Sequence, residues 1–218
     1  MRSAVNTKDK ALQSPFRLLS IQDVRDSVHD GSATDPALMQ VGGWVRDYLM
    51  SSHPDLGRSG DVCPFTSQAA RLDTIRIGVS HEAREHVITQ IVRDCFRQFE
   101  DIPCPQSMRH FRTVIVGFPN CDSIAGHALL ARVHRNLKFH SLRRARMLGV
   151  FHSETEAPGL WNADFRPLRS PLPIMAIRQL VLNDAPFVVR HPLLLPTYLT
   201  SFPLAGTRRL VSQVLARG

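Results

Sequence analysis

The sequence predicts a single α/β or α+β domain in which a mixed sheet of about four or five strands is covered by helices. Three observations predict it. Short apolar runs alternate with amphipathic stretches over the first two thirds of the chain. Two further apolar runs then flank a long polar loop between Met147 and Leu182. The 218 residues are 43% hydrophobic and 21% charged, which suffices for one sizeable core, and no stretch reads as a linker. The expected division is a flexible N-terminal segment, residues 1–18, followed by one domain, residues 19–218.

In chain order, Ser20 to Asp30 opens on a capping residue and carries Ile21, Val24 and Val28 at helical spacing, with Gly31 as its stop. Thr34-Asp35-Pro36 starts a second helix whose stripe is Leu38, Val41, Val45 and Leu49, weakened at Gly42-Gly43. His53 to Phe65 is rich in Pro and Gly and reads as a loop. Ile75, Ile77 and Val79 alternate with Thr74, Arg76 and Gly78, the period of a half-buried strand. Ser80 is the expected cap of a long helix reaching Phe99, with Val87, Ile88, Ile91, Val92, Cys95 and Phe96 on one face. Phe111 to Phe118, FRTVIVGF, is nearly all apolar and suits a central strand.

Asp122 or Ser123 caps the next helix, expected to run to about Arg146. Its second half holds Arg132, Arg135, Lys138, Arg143, Arg144 and Arg146, a pattern that reads first as a solvated face favoured by the helix dipole. Leu148 to Phe151 and Ile174 to Leu182 are the two strands around the loop. Pro186 to Phe202, broken by four prolines, predicts short helical turns over the sheet, and Thr207 to Arg217 a terminal helix. The apolar content of Phe187 to Phe202 predicts a homo- or heterodimer.

Composition narrows the function. The net charge of +8 comes from 24 Arg and only 3 Lys among the basic residues, and Arg is the side chain suited to a bidentate grip on carboxylate, sulfate or phosphate. No nucleic-acid-binding signature accompanies that charge, and two Trp and two Tyr give little for base stacking, so nucleic acid is not an expected partner. No apolar run is long enough for a signal peptide or a membrane span, and a cytoplasmic protein is expected. Cys63, Cys95, Cys104 and Cys121 form no CxxC pair and read as free thiols. Gly-rich phosphate loops and HExxH, GxSxG and EF-hand patterns do not occur.

The chemistry-bearing residues lie in the loop. His152 directly follows an apolar strand and so stands at a strand end, where pockets of open sheets lie; a neutral imidazole there can ligate iron or act as a base. A structural histidine bonded to a carbonyl fits the same position. Arg166 and Arg169 are three apart on a proline-stiffened segment and can converge on one anion, with Asn162 and Asp164 beside them. Arg178 interrupts an apolar strand, and its buried charge demands a partner: Asp164, Glu154 or a substrate carboxylate. The expected site is therefore one pocket lined by His152, Arg166, Arg169 and Arg178, with Asn162 and Asp164, binding a small molecule with an anionic group. His127, His134 and His140 do not align on one helix turn as chelators.

The Cys-Pro-Phe loop at Cys63 to Phe65, the strand FRTVIVGFP, the segment VFHSE and the arginine-bearing loop before PIMAIRQLV resemble, in that order, a small uncharacterised bacterial domain family of actinobacterial specialised metabolism. More distantly, the stretch from Asp61 to Val189 is similar to the YqcI/YcgG family of haem-dependent N-oxygenases. That resemblance implies a haem with His152 as axial ligand, an amino-acid-like substrate oxidised at nitrogen, and arginines on a carboxylate or on the haem propionates. The Cys63-Pro64 order and the distance from His152 to the next basic residue, Arg166, depart from that family. The alternative is a cofactor-free subunit of a two-protein biosynthetic enzyme, binding a sulfate- or phosphate-bearing amino-acid intermediate for elimination and aziridine-type ring closure, or a non-catalytic stabilising partner of such an enzyme.

Overall fold

A computed structural model describes residues 16–29 and 35–215. Five strands form one mixed sheet: β1 (Leu19–Ser20), β2 (Ile75–Val79), β3 (Thr113–Gly117), β4 (Arg146–Phe151) and β5 (Ile174–Gln179). Their spatial order is β1-β2-β3-β5-β4. β2 and β3 are parallel, β1 is antiparallel to β2, and β5 runs antiparallel between β3 and β4. β2, β3 and β4 therefore all point the same way. The helices are α1 (Ile21–His29), α2 (Pro36–Gly43), α3 (Thr66–Arg71), α4 (Glu85–Asp101), α5 (Ile124–Leu142), α6 (Ala185–Arg190), α7 (Leu195–Ser201) and α8 (Pro203–Leu215). No described helix is long and apolar enough to cross a membrane.

The central strand is the one whose sequence is apolar throughout. Val114, Val116 and Phe118 face α4 and α5, where Ile88, Val92, Phe96, Phe99, Leu130, Val133 and Leu137 complete one core. Ile115 faces the other way and joins Ile75, Ile77 and Ile174 under α1, α2 and α3. A strand buried on both faces has no room for the polar alternation seen in β2. A third cluster, Leu180, Ala185, Val188, Leu194 and Tyr198, seats the α6 to α8 segment against Leu142, Ala145 and Met147, at the end of the sheet where β4 begins. The short helices expected over Pro186 to Phe202 are present, and Phe187 and Val188 point into this cluster rather than to solvent.

Three boundaries differ from the sequence reading. Ser20 does cap α1, exchanging hydrogen bonds with Asp23, yet it also belongs to β1. Ser80 does not open α4, because its N–H donates to the Gly117 carbonyl and so extends the sheet. The chain crosses the sheet end before α4 begins at Glu85. α5 stops at Leu142 rather than Arg146: Ala145 takes a left-handed conformation, φ +50, and reverses the chain, while Ser141 Oγ donates to the Arg146 carbonyl. Arg146 then starts β4 and binds Glu100 at 2.7 Å with its guanidinium over the Phe99 ring. After Gly43, α2 continues as a π-helical segment, Trp44–Leu49, and α3 lies where no element was expected. Of the expected flexible segment 1–18, residues 1–15 lie outside the described residues; Phe16 and Leu18 pack on the α4/α5 core. The stop at Gly31 and the last two residues of the expected terminal helix, 216 and 217, also lie outside them.

α5 starts close against the end of β3, and Gly126 permits it: a Cβ there would collide with the Cys121 carbonyl oxygen. Gly126→Ala is expected to cost about 3 kcal/mol, since backbone on both sides prevents relief. Gly43→Ala, in helical conformation with no contact for its Cβ tighter than Asp47 Oδ2 at 3.7 Å, is expected to gain about 0.4–1 kcal/mol. Urea unfolding of the two variants beside the parent chain checks both signs.

Candidate functional site

Val79, Gly117, Ile174 and Phe151 stand in one row across four strands, since Val79 pairs with Gly117, Gly117 with Ile174 and Ile174 with Phe151. The carboxyl ends of β2, β3 and β4 thus come together, and the residues beyond them share one rim: Ser80 to Arg84, Phe118 to Ser123, and His152 onward. Such rims are where ligands of open α/β sheets bind. Local bonds knit this one. Asn120 Nδ2 donates to the His81 carbonyl at 2.6 Å, and Ser123 caps α5 by accepting from the Gly126 N–H at 3.1 Å.

His127, on the first turn of α5, stacks face to face with His152, ring centroids 3.9 Å apart and planes 20° from parallel. Asp122 Oδ1 lies 3.3 Å from His127 Nε2, and Glu154 Oε2 lies 3.6 Å from His127 Nδ1. A ring nitrogen from each histidine and a Glu154 oxygen fall within 4.8 Å of one another. His152 Nδ1 is buried without a hydrogen-bond partner among the described residues. Burial first, and then the neighbouring His127, push the His152 pKa below its ordinary 6.5, so its ring is neutral and keeps a lone pair at neutral pH. Grouped lone pairs of this kind accept a proton or hold an ion.

The backbone of His152 organises the loop that follows. Its carbonyl accepts from the Thr155 and Ser170 N–H groups at 3.0 and 3.4 Å, and its N–H donates to Thr155 Oγ1 at 2.9 Å. Arg169 Nε donates to the Thr155 carbonyl, which brings the arginine segment back beside the strand end. Arg166 and Arg169 do converge on one anion, the carboxylate of Glu156: Arg166 Nε sits 3.1 Å from Oε2 and Arg169 bonds Oε1. Those bonds, Arg169's first, hold the Glu156 carboxyl below the usual carboxylate range. Its side chain is 67% exposed. The loop is an arginine- and acid-rich surface able to bind an anion or small molecule.

Asn162 plays a tethering part, donating to the Asp55 carbonyl at 2.8 Å and accepting from the Asp164 N–H at 3.0 Å. Phe165 stacks on His53, centroids 4.5 Å apart. Asp164 itself is exposed.

Arg178 is elsewhere. It pairs across Thr113 and Met147, four residues along β5 from the row that carries His152, about 13 Å at the usual strand rise. Its partner is Asp184, in the connection to α6, gripped through both oxygens at 2.6 and 2.8 Å. Burial opposes the Arg178 charge, yet the bonds to Asp184 leave its pKa raised. None of the partners expected for it, Asp164, Glu154 or a ligand, is the one it takes. The four cysteines are free thiols. His127 is the site residue that sequence reading passed over, because its partner His152 is 25 positions away and meets it only through the return of β4.

Asp184 is 3% exposed in its side chain, so Asp184→Asn leaves a charge without its counterpart and is expected to cost about 3 kcal/mol. Glu156→Gln, at an exposed pair, is expected to leave the unfolding midpoint nearly unchanged, since solvent screens the interaction. Thermal and urea unfolding of both variants distinguishes the structural arginine from the loop arginines.

A family model described as a domain of unknown function (DUF6875) matches residues 38–212. No curated protein and no solved structure matches the chain.

Proposed function

The chain belongs to the DUF6875 family, and we propose that it is a tailoring enzyme of specialised metabolism, or one subunit of such an enzyme, that binds a sulfate- or phosphate-bearing amino-acid-like molecule and promotes elimination with ring closure. The observation that carries this reading is the His127–His152–Glu154 group at the strand ends, with Arg166 and Arg169 on the loop that springs from the same strand end. In the reaction, the substrate nitrogen closes the ring as its proton passes to the lone pairs of that group. The carbon–oxygen bond to the sulfate or phosphate breaks, and the freed anion is left facing the arginines. A guanidinium pair suits that anion, and Glu156 is the internal carboxylate it displaces.

Haem-dependent N-oxygenation is the second reading, supported by the strand-end position and unpartnered ring nitrogen of His152. The macrocycle fills the equatorial positions of a haem iron and leaves one protein ligand per face. Three donors gathered at one point fit a proton or a small ion better. A homo- or heterodimer belongs to the proposal as well. What supports it is exposed apolar surface, chiefly Leu193 and the α8 residues Leu204, Val211 and Leu215.

Titration calorimetry with inorganic sulfate and phosphate tests the anion site. Arg169→Met is expected to weaken binding about 10- to 100-fold, and Glu156→Gln to strengthen it about tenfold, because the competing carboxylate is gone. Arg143→Met, on the basic end of α5, is the control and leaves it unchanged. With a panel of O-sulfated and O-phosphorylated amino acids, His152→Gln is expected to keep anion binding but release less sulfate or phosphate, by a factor of about 100 or more. Equal behaviour of Arg169→Met and the control would overturn the anion site, and a Soret band in the purified protein would favour haem.

A further inference from the structure

We infer that His127, His152 and Glu154 form a binding site for one divalent transition-metal ion of the zinc or ferrous-iron kind, with Asp122 as the carboxylate that orients His127. The inference rests on the reading that this cluster is the working centre, and it names what the centre holds.

The donor set is the first argument. Two imidazoles and one carboxylate, with coordination positions left open, are the ligand pattern of catalytic zinc and of mononuclear non-haem iron, whereas calcium and magnesium take oxygen donors. The second argument is orientation. His127 Nε2 faces Asp122 at 3.3 Å while its Nδ1 faces the cluster. A carboxylate behind an imidazole places the N–H on the outer nitrogen and the lone pair on the inner one, the arrangement that supports metal-bound histidines.

His152 supplies the third. Its Nδ1 is buried and unpartnered, an expense that a polar atom in the interior does not ordinarily bear. Three ligand atoms within 4.8 Å of one another give a cation one shared point of contact.

The spacing is within reach of coordination. Ligand atoms about 2.1 Å from a tetrahedral ion stand about 3.4 Å apart, so the widest of the three separations, within 4.8 Å, must close by at most about 1.4 Å. The backbones of the two histidines are held, His152 through its bonds to Thr155 and Ser170 and His127 by the first turn of α5, and their stacked rings, planes 20° from parallel, must turn about their side-chain bonds until both lone pairs point at the ion. Glu154 is the member with the furthest to move, its side chain 71% exposed on the loop directly after β4. Its swing inward needs no change in the sheet. The open positions of the bound ion would take a water, or an oxygen of the sulfate or phosphate, and a water whose pKa the ion lowers to near neutral would be present in part as hydroxide, the form that would accept the substrate proton and return to water.

The experiment uses the full chain, stripped with a chelator and dialysed, and titrated with zinc in a calorimeter. The expected result is one ion per chain. His127→Gln and Glu154→Gln are each expected to lower zinc affinity more than 100-fold, and Asp122→Asn by about 10- to 100-fold. His86→Gln, an exposed histidine on α4, is expected to change nothing. Circular dichroism and melting temperature show that each variant is folded. Zinc uptake that His127→Gln and Glu154→Gln leave unaltered, or no uptake by the folded parent chain, would overturn the site. Sulfate binding and its loss in Arg169→Met are measured on the metal-free chain, so the metal inference can fail while the proposed function stands. If the metal-free chain binds no anion but takes up zinc through these three residues, the reverse holds.

Discussion

Strand β5 must satisfy a backbone ladder on both of its edges, and this ties the rest of the molecule together. It enters between β3 and β4 against the direction of both, bonding six residues of β4 and five of β3. The crossover β3-α5-β4 consequently leaves a gap of one strand, and the chain after β4 has to travel along the carboxyl-end rim before it can return. That return is the loop of residues 152–173. A parallel fifth strand at the edge would have carried the chain around a helix instead, and no arginine-rich loop would lie across the strand ends. The same insertion sets β4 at the edge beside α5, which is how His152 comes under His127.

Much of the fold was legible because it follows from period and composition. FRTVIVGF reads as a central strand since a segment buried on both faces cannot alternate, and α4 reads from its apolar face. What was not legible depended on competition for the same backbone group. Ser80 has a capping side chain, but its N–H is taken by Gly117, so the helix waits until Glu85. Arg146 continues a basic helical run in sequence, but Ala145 turns left-handed and Arg146 enters the sheet. His152 was legible as a strand-end group. Its stacking on His127 was not, because periodicity says nothing about which helix face meets which loop across 25 residues.

The arginines show how one residue type serves two ends. Arg146 with Glu100 and Arg178 with Asp184 answer the demand that a charge entering the sheet finds a counter-charge. Arg178 is the clearer case, its partner being almost wholly enclosed. Arg166 and Arg169 meet an acid that is two thirds exposed. Solvent screens that pair, its net worth to the fold is small, and an incoming anion competes with it on nearly equal terms. Deep burial of one member of the pair, Arg146 in one case and Asp184 in the other, therefore separates the arginines that hold the fold from those open to a ligand. An embedded arginine such as Arg178 attracts notice in a sequence, yet the physics assigns it to the framework.

The central claim is that the strand ends bring His127 and His152 into one electrostatically coupled group with a neutral His152 ring. Nitrogen-15 NMR of the histidine rings through a pH titration of the metal-free chain tests it most directly. The account predicts that His152 takes up its proton below the ordinary 6.5 and that His127→Gln, by removing the neighbouring imidazole that disfavours the protonated ring, moves this protonation to higher pH. A His152 ring that titrates at its ordinary value and is indifferent to residue 127 would contradict it.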